Sequence, residues 1–353
     1  VLLPKDFIRF RLTGDFASDV SDASGTLLFD VRGRRWSQPV LKALRLPRDW
    51  FPDALESPDV TGRVSREAAG ATGLMAGTPV VAGGGDQAAG AIGCGIVEPG
   101  MVSATVGTSG VVFAACGLPK RIPDGRLHLF CSAVRNGWHL MGVMLSAGGA
   151  LRWMRDALGA AVVQKRRPGG EDPYEVMCRE AAKVPPGSEG LTFLPYMTGE
   201  RTPHADPHAR GVFFGLSLKH GAAHMTRAVL EGVAYGMRDS LDLIRGMGVR
   251  VSGVRLSGGG ARSPLWCRIQ TAVYGAAGAR LVREEGPAMG AAMLAGLGIG
   301  AFRDYSRACR VCVEEKDRFK PDARLEEIYS RGYRLYRKIY PALRPLFPEL
   351  ANR

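Results

Sequence analysis

Near the start of the chain the apolar residues follow helical spacing, and this period is then lost. The apolar positions within Pro4–Leu12 share one face of a predicted helix, and Gly14 is a natural end for it. Residues 18–66 are interrupted throughout by Gly, Pro, Asp and Ser. Because such residues favour turns, we expect loops with only small elements in this part of the chain.

A regular pattern returns with a β-branched run over Thr78–Ala82, which predicts a short strand. Three glycines, Gly83–Gly85, follow it directly and lead into a helix of small residues that we expect over Gln87–Ile92. The next segment, Gly95–Gly100, is typical of a hinge or linker. We therefore expect a second domain to begin close to this point.

The second part of the chain opens with two apolar strands. Met101–Val106 and Val111–Ala115 are joined by the tight turn Gly107–Gly110, so together they predict a hairpin. Trp138–Met144 predicts a third strand, and the apolar spacing of Ala147–Leu158 predicts a helix after it.

Further along, strands and helices alternate. A predicted strand, Gly253–Leu256, leads into the glycine-rich turn Ser257–Gly260. A helix is expected over Pro264–Tyr274, because proline is favoured in the first turn of a helix. A strand over Arg280–Arg283 and an apolar helix over Pro287–Leu297 complete the pattern.

This order of elements is that of an actin-like ATPase (ribonuclease H-like) domain. The α/β fold normally has two similar domains around a nucleotide cleft. The first half here has a closing strand and helix around Asp86 but nothing that could be its opening hairpin, and there is no initiating Met. We therefore expect an incomplete first domain over residues 1–98. The second domain, with C-terminal helices, is expected over residues 99–353.

Composition narrows the class of protein. The chain has 353 residues, of which 46% are hydrophobic and 23% charged, as in an ordinary globular protein. Its net charge is +13, but the basic residues are scattered, with no basic tail and no aromatic ladder. We expect no nucleic-acid partner. Charge-driven duplex binding, which would fall steeply with salt, is the alternative.

Three further features bear on location. The longest weakly polar stretch, Ala291–Phe302, is too short and too glycine-rich to span a bilayer, so no membrane partner is expected. Charges at Lys5, Asp6 and Arg9 do not fit a signal peptide. The seven cysteines are odd in number and widely spread, which is typical of reduced thiols. The sequence therefore predicts a cytoplasmic protein.

The sequence offers no convincing metal-binding residues. Cys309 and Cys312 form one pair without a second pair, so a zinc site is not expected there. His220 and His224 lie four residues apart on an expected helix, but no carboxylate or third ligand accompanies them. We interpret both histidines as residues of the helix core or surface.

Three glycine-rich turns each follow a predicted strand, and such turns let backbone N–H groups approach an anion closely. In Gly107–Gly110, the amides and the Thr108 hydroxyl could cradle a phosphate. In Ser257–Gly260, a side chain would block access for the sugar or base of a nucleotide. A single turn of this kind is more often only a turn, but three in this order favour a nucleotide site. Neither a Rossmann nor a Walker A spacing is present.

Asp86 is the best candidate for chemistry, since it follows three glycines at a helix start. One interpretation is an N-cap of the helix. The other is a general base, because the glycines leave room for a substrate hydroxyl to reach the carboxylate. Gln87, beside it, could hydrogen-bond a neighbouring hydroxyl.

These residues resemble the FGGY family of carbohydrate kinases, and the resemblance covers essentially the whole chain. The pattern over Gly211–Glu231, in which a seven-residue spacer separates GVFFGL from HMTRAVLE, is long and specific. The other segments similar to the family are Leu3–Gly14, Ser21–Thr26, Val80–Gly93, Val106–Gly110, Leu145–Trp153, Phe193–Pro207 and Ser257–Trp266.

The resemblance implies ATP-dependent phosphorylation of a sugar, with Mg²⁺ on the phosphates. The segments around Ser21–Thr26 and Gly83–Gln87 favour D-xylulose as the acceptor, with D-xylulose 5-phosphate as the product. Residues 1–98 would then bind the sugar and residues 99–353 the nucleotide. Oligomeric state is left open, a homodimer included.

Individual residues take roles from the same resemblance. Asp86 matches the catalytic base and, with Gln87, a sugar contact. The residues implied to bind the nucleotide are Gly107, Thr108 and Ser109 at the β- and γ-phosphates, Gly148, Gly259 and Gly260 along the nucleotide, and Ser263 near the adenine. Arg152 could also reach the nucleotide, but a plain surface role is equally open for it. His224 and Glu231 are interpreted as structural. Arg201 could line the cleft or form a buried ion pair, and we favour the structural role.

The chain also departs from the family pattern. A D-x-G-T phosphate hairpin and a Met-His pair that helps to hold the sugar are both missing from it. One alternative is therefore a truncated, non-catalytic nucleotide- or sugar-binding protein. The other is a kinase of the same family that acts on glycerol, gluconate or ribulose.

Overall fold

A computed structural model describes residues 1–117, 122, 124–158, 171–283 and 286–351. The strands are β1 (Ser18–Asp19), β2 (Phe29–Asp30), β3 (Arg35–Trp36), β4 (Ala54–Leu55), β5 (Val60–Arg63), β6 (Pro79–Val81), β7 (Met101–Val106), β8 (Gly110–Cys116), β9 (His128–Cys131), β10 (Trp138–Met144), β11 (Thr192–Leu194), β12 (Val212–Phe214), β13 (Gly253–Ser257), β14 (Gly278–Leu281) and β15 (Glu315–Phe319).

The α-helices alternate with these strands and dominate the C-terminal third. They are α1 (Pro4–Thr13), α2 (Val20–Ala23), α3 (Gln38–Ala43), α4 (Arg66–Thr72), α5 (Asp86–Gly93), α6 (Gly148–Leu158), α7 (Pro173–Ala182), α8 (Ala222–Gly246), α9 (Pro264–Tyr274), α10 (Gly286–Gly298), α11 (Tyr305–Cys312), α12 (Ala323–Leu343) and α13 (Phe347–Ala351).

The first part of the chain is built from small pieces, as its interrupted sequence predicts. Its strands pair only two by two, β1 with β4 in parallel, and β2 with β3 and β5 with β6 antiparallel. A small aromatic core holds them, in which Trp36 lies between Phe29 and Phe51. The expectation of loops with small elements for residues 18–66 is confirmed.

One mixed sheet organises the second part. Within the described residues its strand order is β15-β14-β13-β7-β8-β10-β9. The three strands β7, β13 and β14 run parallel, while β7, β8, β10 and β9 form an antiparallel series. This is the mixed α/β architecture that the predicted order of elements requires.

Helices bury the sheet because their apolar residues recur at helical spacing. Most of α8 is buried, and it packs on β10, β11, α7 and α9. Along α12, Tyr329, Tyr333, Tyr336 and Tyr340 form one buried face over the same core. No helix in the described ranges is long and apolar enough to cross a membrane.

Most predicted elements of the second part are confirmed. Strands β7 and β10 and helix α9 have the predicted bounds. The strand predicted over Arg280–Arg283 is wrong by two residues, since β14 begins at Gly278, which pairs with Val254. A Cβ at Gly278 would lie 2.6 Å from the Thr271 side chain, so the close packing there needs a residue that strand patterns usually exclude.

Helices α5 and α10 join the two parts of the chain at a backbone contact. A side chain at Gly93 would overlap the carbonyl oxygen of Gly286, and one at Gly290 would overlap that of Ala89. Only glycine fits such a crossing. The helix that begins at Asp86 is therefore fixed directly on the second part.

Candidate active site

A cavity of about 770 Å³ lies where the β7–β8 turn, the start of α6 and the turn before α9 come together. The predicted residues that line it are Gly107, Thr108, Gly148, Arg152, Gly259, Gly260 and Ser263. Residues from three distant stretches of sequence are thus brought to one place, and its volume is in the range of small-molecule sites.

The β7–β8 turn and helix α6 are locked together by their backbones. The N–H of Gly148 donates to Gly107 O at 2.7 Å, and that of Gly149 donates to Thr108 O at 3.0 Å. A Cβ at Gly148 would overlap Gly107 O, so no other residue permits this approach. The turn is therefore packed directly on the N-terminus of an 11-residue helix, whose dipole places positive potential beside it.

Arg152 supplies a positive charge at the same turn. It is one helical turn beyond Gly148, and its Nη2 donates to Thr108 Oγ1 at 2.8 Å. The side chain is exposed and lines the cavity. The cation is therefore available to a phosphate bound at Thr108.

The opposite wall depends on glycines that approach β7. Gly258 has φ of 75°, and a Cβ there would lie 2.6 Å from Val106 O. A Cβ at Gly260 would lie 2.6 Å from the Val106 side chain. Ser263 also caps α9, because its hydroxyl accepts from Trp266 N at 3.3 Å. Its place on the cavity wall is thus partly explained by helix capping.

Helix α7 supplies a wall that the sequence did not indicate. The residues of this wall that line the cavity include Asp172 at the N-cap and Tyr174, Glu175, Cys178 and Arg179 along the helix. The available signal was an Asp-Pro pair at the helix start, where Asp172 caps Tyr174 N at 2.8 Å. An N-cap pattern locates a helix but not the cavity that the helix faces.

Asp86 lies on the other side, at the beginning of α5. Its N-cap interpretation is wrong, because Gly85 occupies the N-cap and Asp86 is the first helical residue. The carboxylate is exposed, and its two oxygens accept from Gln87 N at 2.7 Å and Gln87 Nε2 at 3.3 Å. Asp86, Gln87 and Ser109 are not among the residues that line the cavity.

The loop that carries Asp86 packs on the segment around α2. Gly85 N donates to Ser21 Oγ at 3.1 Å. Burial raises the pKa of Asp22, and the nearby carboxylates of Asp19 and Asp86 raise it further. This part of the site is held by a polar side chain at Gly85 and by a main-chain bond at Gly83.

Glu200 supports the segment that leads to Gly148. Its Oε1 accepts from Leu145 N at 3.0 Å and Arg201 N at 2.7 Å. Burial raises the pKa of this carboxyl to about 8. Arg201 itself is exposed and does not line the cavity.

The family-pattern residues on α8 have structural contacts. Glu231 accepts from Arg227 Nε at 2.9 Å and from Gly187 N at 3.0 Å in the core. His224 Nδ1 accepts from Gly221 N at 3.2 Å at the helix start, where His220 also contacts its ring. Within the described ranges no group of three or more His, Cys, Asp or Glu residues could hold a metal.

Two family profiles match the chain. The N-terminal domain of the FGGY family of carbohydrate kinases matches residues 1–93, and its C-terminal domain matches residues 102–299. The chain belongs to the FGGY family of carbohydrate kinases. It is therefore a sugar kinase, and FGGY kinases are ATP-dependent.

Curated relatives of this FGGY kinase carry the name xylulose kinase. That from Escherichia coli K12 is 41% identical over 347 residues, which are 98% of this chain and 69% of the relative. That from Bacillus subtilis 168 is 36% identical over 339 residues, 96% of this chain and 66% of the relative. The FGGY kinase chain thus spans about two thirds of the length of these relatives.

Solved structures agree with the fold. A xyloylose kinase from Brucella ovis superposes with a TM-score of 0.88 at 36% identity, over 98% of this chain and 69% of the other. A ligand-bound xylulose kinase from Lactobacillus acidophilus gives 0.90 at 25% identity, over 98% and 68%. The actin-like two-domain fold expected for this FGGY kinase is confirmed.

Proposed function

We propose that this FGGY kinase transfers the γ-phosphoryl group of ATP to a primary hydroxyl of D-xylulose, forming ADP and D-xylulose 5-phosphate. The observation that carries the proposal is the 41% identity to a xylulose kinase over 98% of the chain. A gluconokinase from Bacillus subtilis is 32% identical over only 76% of the chain. The relatives therefore favour xylulose over gluconate.

In this proposal the cavity holds ATP. The turn of Gly107, Thr108 and Ser109 would hold the β- and γ-phosphates through the Ser109 amide and the Thr108 hydroxyl, with Arg152 adding charge. The Gly107 N–H closes the turn by donating to Ser109 O at 2.9 Å. The sugar and base of the nucleotide would lie along Gly148, Gly259 and Gly260 toward Ser263. Residues 99–353 would form this nucleotide domain, and residues 1–98 would belong to the acceptor domain. The direct bond from Arg152 to Thr108 supports the placement of the phosphates.

Mg²⁺ is part of the proposal as an ion carried by the phosphates. The described residues include no ready-made cluster of ligands. This fits Mg²⁺, which keeps several waters and commonly binds through substrate phosphates rather than an all-protein cage. The ion would neutralise charge that develops during phosphoryl transfer.

Asp86 acts as the general base. Its carboxylate accepts the proton of the attacking hydroxyl, while Gln87 bonds a neighbouring hydroxyl of the sugar. The two bonds from Gln87 orient the carboxylate before substrate arrives. Closure of the two domains would bring Asp86 to the phosphates and exclude water.

The proposal also covers the setting of the reaction. The sugar is the partner, with no role for nucleic acid or membrane, and the location is cytoplasmic. A homodimer is the assembly we propose to test by light scattering. The bacterial kinases among the relatives support this setting.

The decisive experiment measures ADP release by the chain with ATP and Mg²⁺. D-xylulose is compared with glycerol, L-ribulose, gluconate and no sugar. We expect selective turnover with D-xylulose and a fall of about 10²- to 10⁴-fold in Asp86→Asn, because that is the usual contribution of a general base.

Asp322→Asn is the matched control, since Asp322 is also an exposed Asp at a helix start and asparagine still caps α12. Its turnover should equal that of the parent chain. Equal rates with several sugars would overturn the substrate assignment. Unchanged turnover in Asp86→Asn would overturn the base assignment, and no turnover with any sugar would favour a binding protein.

A further inference from the structure

The loop before the proposed base is bonded to a buried serine. The N–H of Gly85, the residue immediately before Asp86, donates to Ser21 Oγ at 3.1 Å. Ser21 is 5% exposed, so the acceptor of this bond is shielded from water. Because Gly85 is the N-cap of α5, the bond fixes the point from which the helix and the Asp86 side chain start.

The Ser21 hydroxyl is itself held in one orientation. It donates to Asp19, whose carboxylate also accepts from Ser21 N at 2.7 Å. Asp19 is completely buried, and Lys5 Nζ lies 2.8 Å from its other oxygen. A hydroxyl that gives its proton to this carboxylate presents its lone pairs to Gly85.

Lys5 remains charged in this arrangement. Burial alone would lower the pKa of Lys5, but the carboxylates of Asp19 and Asp6 outweigh it and raise the pKa above the ordinary value. A permanent ammonium therefore balances a buried carboxylate, which is the condition under which such a carboxylate is retained in a core. The order of contacts is Lys5, Asp19, Ser21 and then Gly85.

The loop lies close against this support. A Cβ at Gly84 would lie 3.3 Å from Ser21 Oγ, and one at Gly85 would lie 3.2 Å from Asp22 Oδ1. Gly83 N donates to Ser57 O at 3.0 Å, and Ser57 Oγ in turn reaches Asp19 at 3.4 Å. The loop is thus held at two points, at Gly85 by the Ser21 hydroxyl and at Gly83 by the main chain of Ser57.

We propose that Ser21 is a positioning residue for phosphoryl transfer. Through Gly85 N–H it sets the direction of the Asp86 carboxylate, and Asp19 with Lys5 sets the direction of the Ser21 hydroxyl. The inference rests on the proposed function, in which Asp86 is the base. A displacement of a base by about 1 Å can cost about 10²-fold in rate, so the contact has a measurable consequence.

The test compares Ser21→Ala with Ser24→Ala in steady-state kinetics on D-xylulose and ATP. Ser24 is buried on the same short turn, accepts from Cys131 N at 3.0 Å and donates to Val20 O at 2.7 Å. Both variants lose two hydrogen bonds of one hydroxyl, so we expect similar falls in melting temperature. We expect Ser21→Ala alone to lose kcat, by about ten- to a hundredfold, with the KM for ATP unchanged.

Two further variants separate positioning from general stabilisation. Ser21→Thr restores a hydroxyl and should recover most of kcat. In the double variant Ser21→Ala/Asp86→Asn, the loss of Ser21 should add nothing, because a misdirected base and an absent base are equivalent.

Each outcome decides a different claim. Equal kcat in Ser21→Ala and Ser24→Ala, or a full additional loss in the double variant, would overturn the role of Ser21 and leave Asp86 as the base. Unchanged turnover in Asp86→Asn alone would overturn the proposed function and this inference together.

Discussion

The two sides of the site are built by different means. On the nucleotide side, the β7–β8 turn meets α6 through main-chain hydrogen bonds, and glycine is required because side chains would overlap the backbone. On the acceptor side, buried side chains hold the loop before Asp86. The first side is therefore sensitive to added atoms, and the second is sensitive to lost polar groups.

The largest effect is expected from Gly148→Ala, which adds one methyl where Gly107 O already lies. The turn must move away from α6, so we expect turnover to be lost and ATP to give no rise in melting temperature. Thermal shift with and without ATP measures this directly.

Gly259→Ala is the matched control for that experiment. Gly259 lines the same cavity, but a Cβ there meets nothing within 4 Å in the described residues. It should fold like the parent chain and weaken ATP binding only through the added methyl. If Gly148→Ala keeps the parent's ATP-induced shift, the nucleotide side does not depend on that backbone contact.

A smaller effect is expected from Arg152→Ala. The cation bonds Thr108 at 2.8 Å but is exposed, so its attraction to phosphate is partly screened by solvent. We expect the KM for ATP to rise several-fold and the KM for D-xylulose to stay constant. Arg310→Ala, which removes an exposed arginine from α11, should change neither constant. A change confined to the sugar KM would contradict the placement of the phosphates.

The smallest expected effect is on the pH dependence of stability. It tests Glu200, the buried carboxyl on the nucleotide side. Burial raises the pKa of Glu200 from 4.5 to about 8, so the folded chain keeps a proton that the unfolded chain releases above pH 4.5. Its contribution to stability therefore falls as the pH rises between about 4.5 and 8. Glutamine cannot ionise, so the Glu200→Gln variant does not lose stability in this way as the pH rises.

The melting temperature of Glu200→Gln minus that of the parent should thus increase from pH 5 to pH 8, by a few degrees. Differential scanning calorimetry at the two pH values measures it. A difference that stays constant with pH would show that Glu200 folds in its ionised form.

The sequence was most informative where the local backbone geometry requires glycine. The turns at Gly107 and Gly259 were predicted because a run of glycines directly after a strand usually marks a tight turn. The bounds of β7 and β10 followed from their apolar runs and the turn after β7, and those of α9 from the proline in its first turn. Domain roles and the roles of individual site residues stay predictions.

Contacts between residues far apart in the sequence could not be predicted from the local pattern of hydrophobic and polar residues. Nothing local in the sequence around Ser21 indicates a bond to Gly85, 64 residues away. The wall from α7 was missed for the same reason, and Arg201 is exposed although an ion pair in the core was one expectation. Sequence period reports which face of an element is buried, but it does not report what the other face meets.

The crossing of α5 and α10 has a consequence for how the two sides can move. The two backbones touch at Gly93 and Gly290, and beside that contact Ile92 of α5 packs with Met293 of α10 in one buried cluster. A crossing of this kind resists both separation and sliding of the two helices. Any closing movement that carries Asp86 toward the phosphates must therefore leave the crossing in place and pivot about it, with the length of the eight-residue helix as the lever arm.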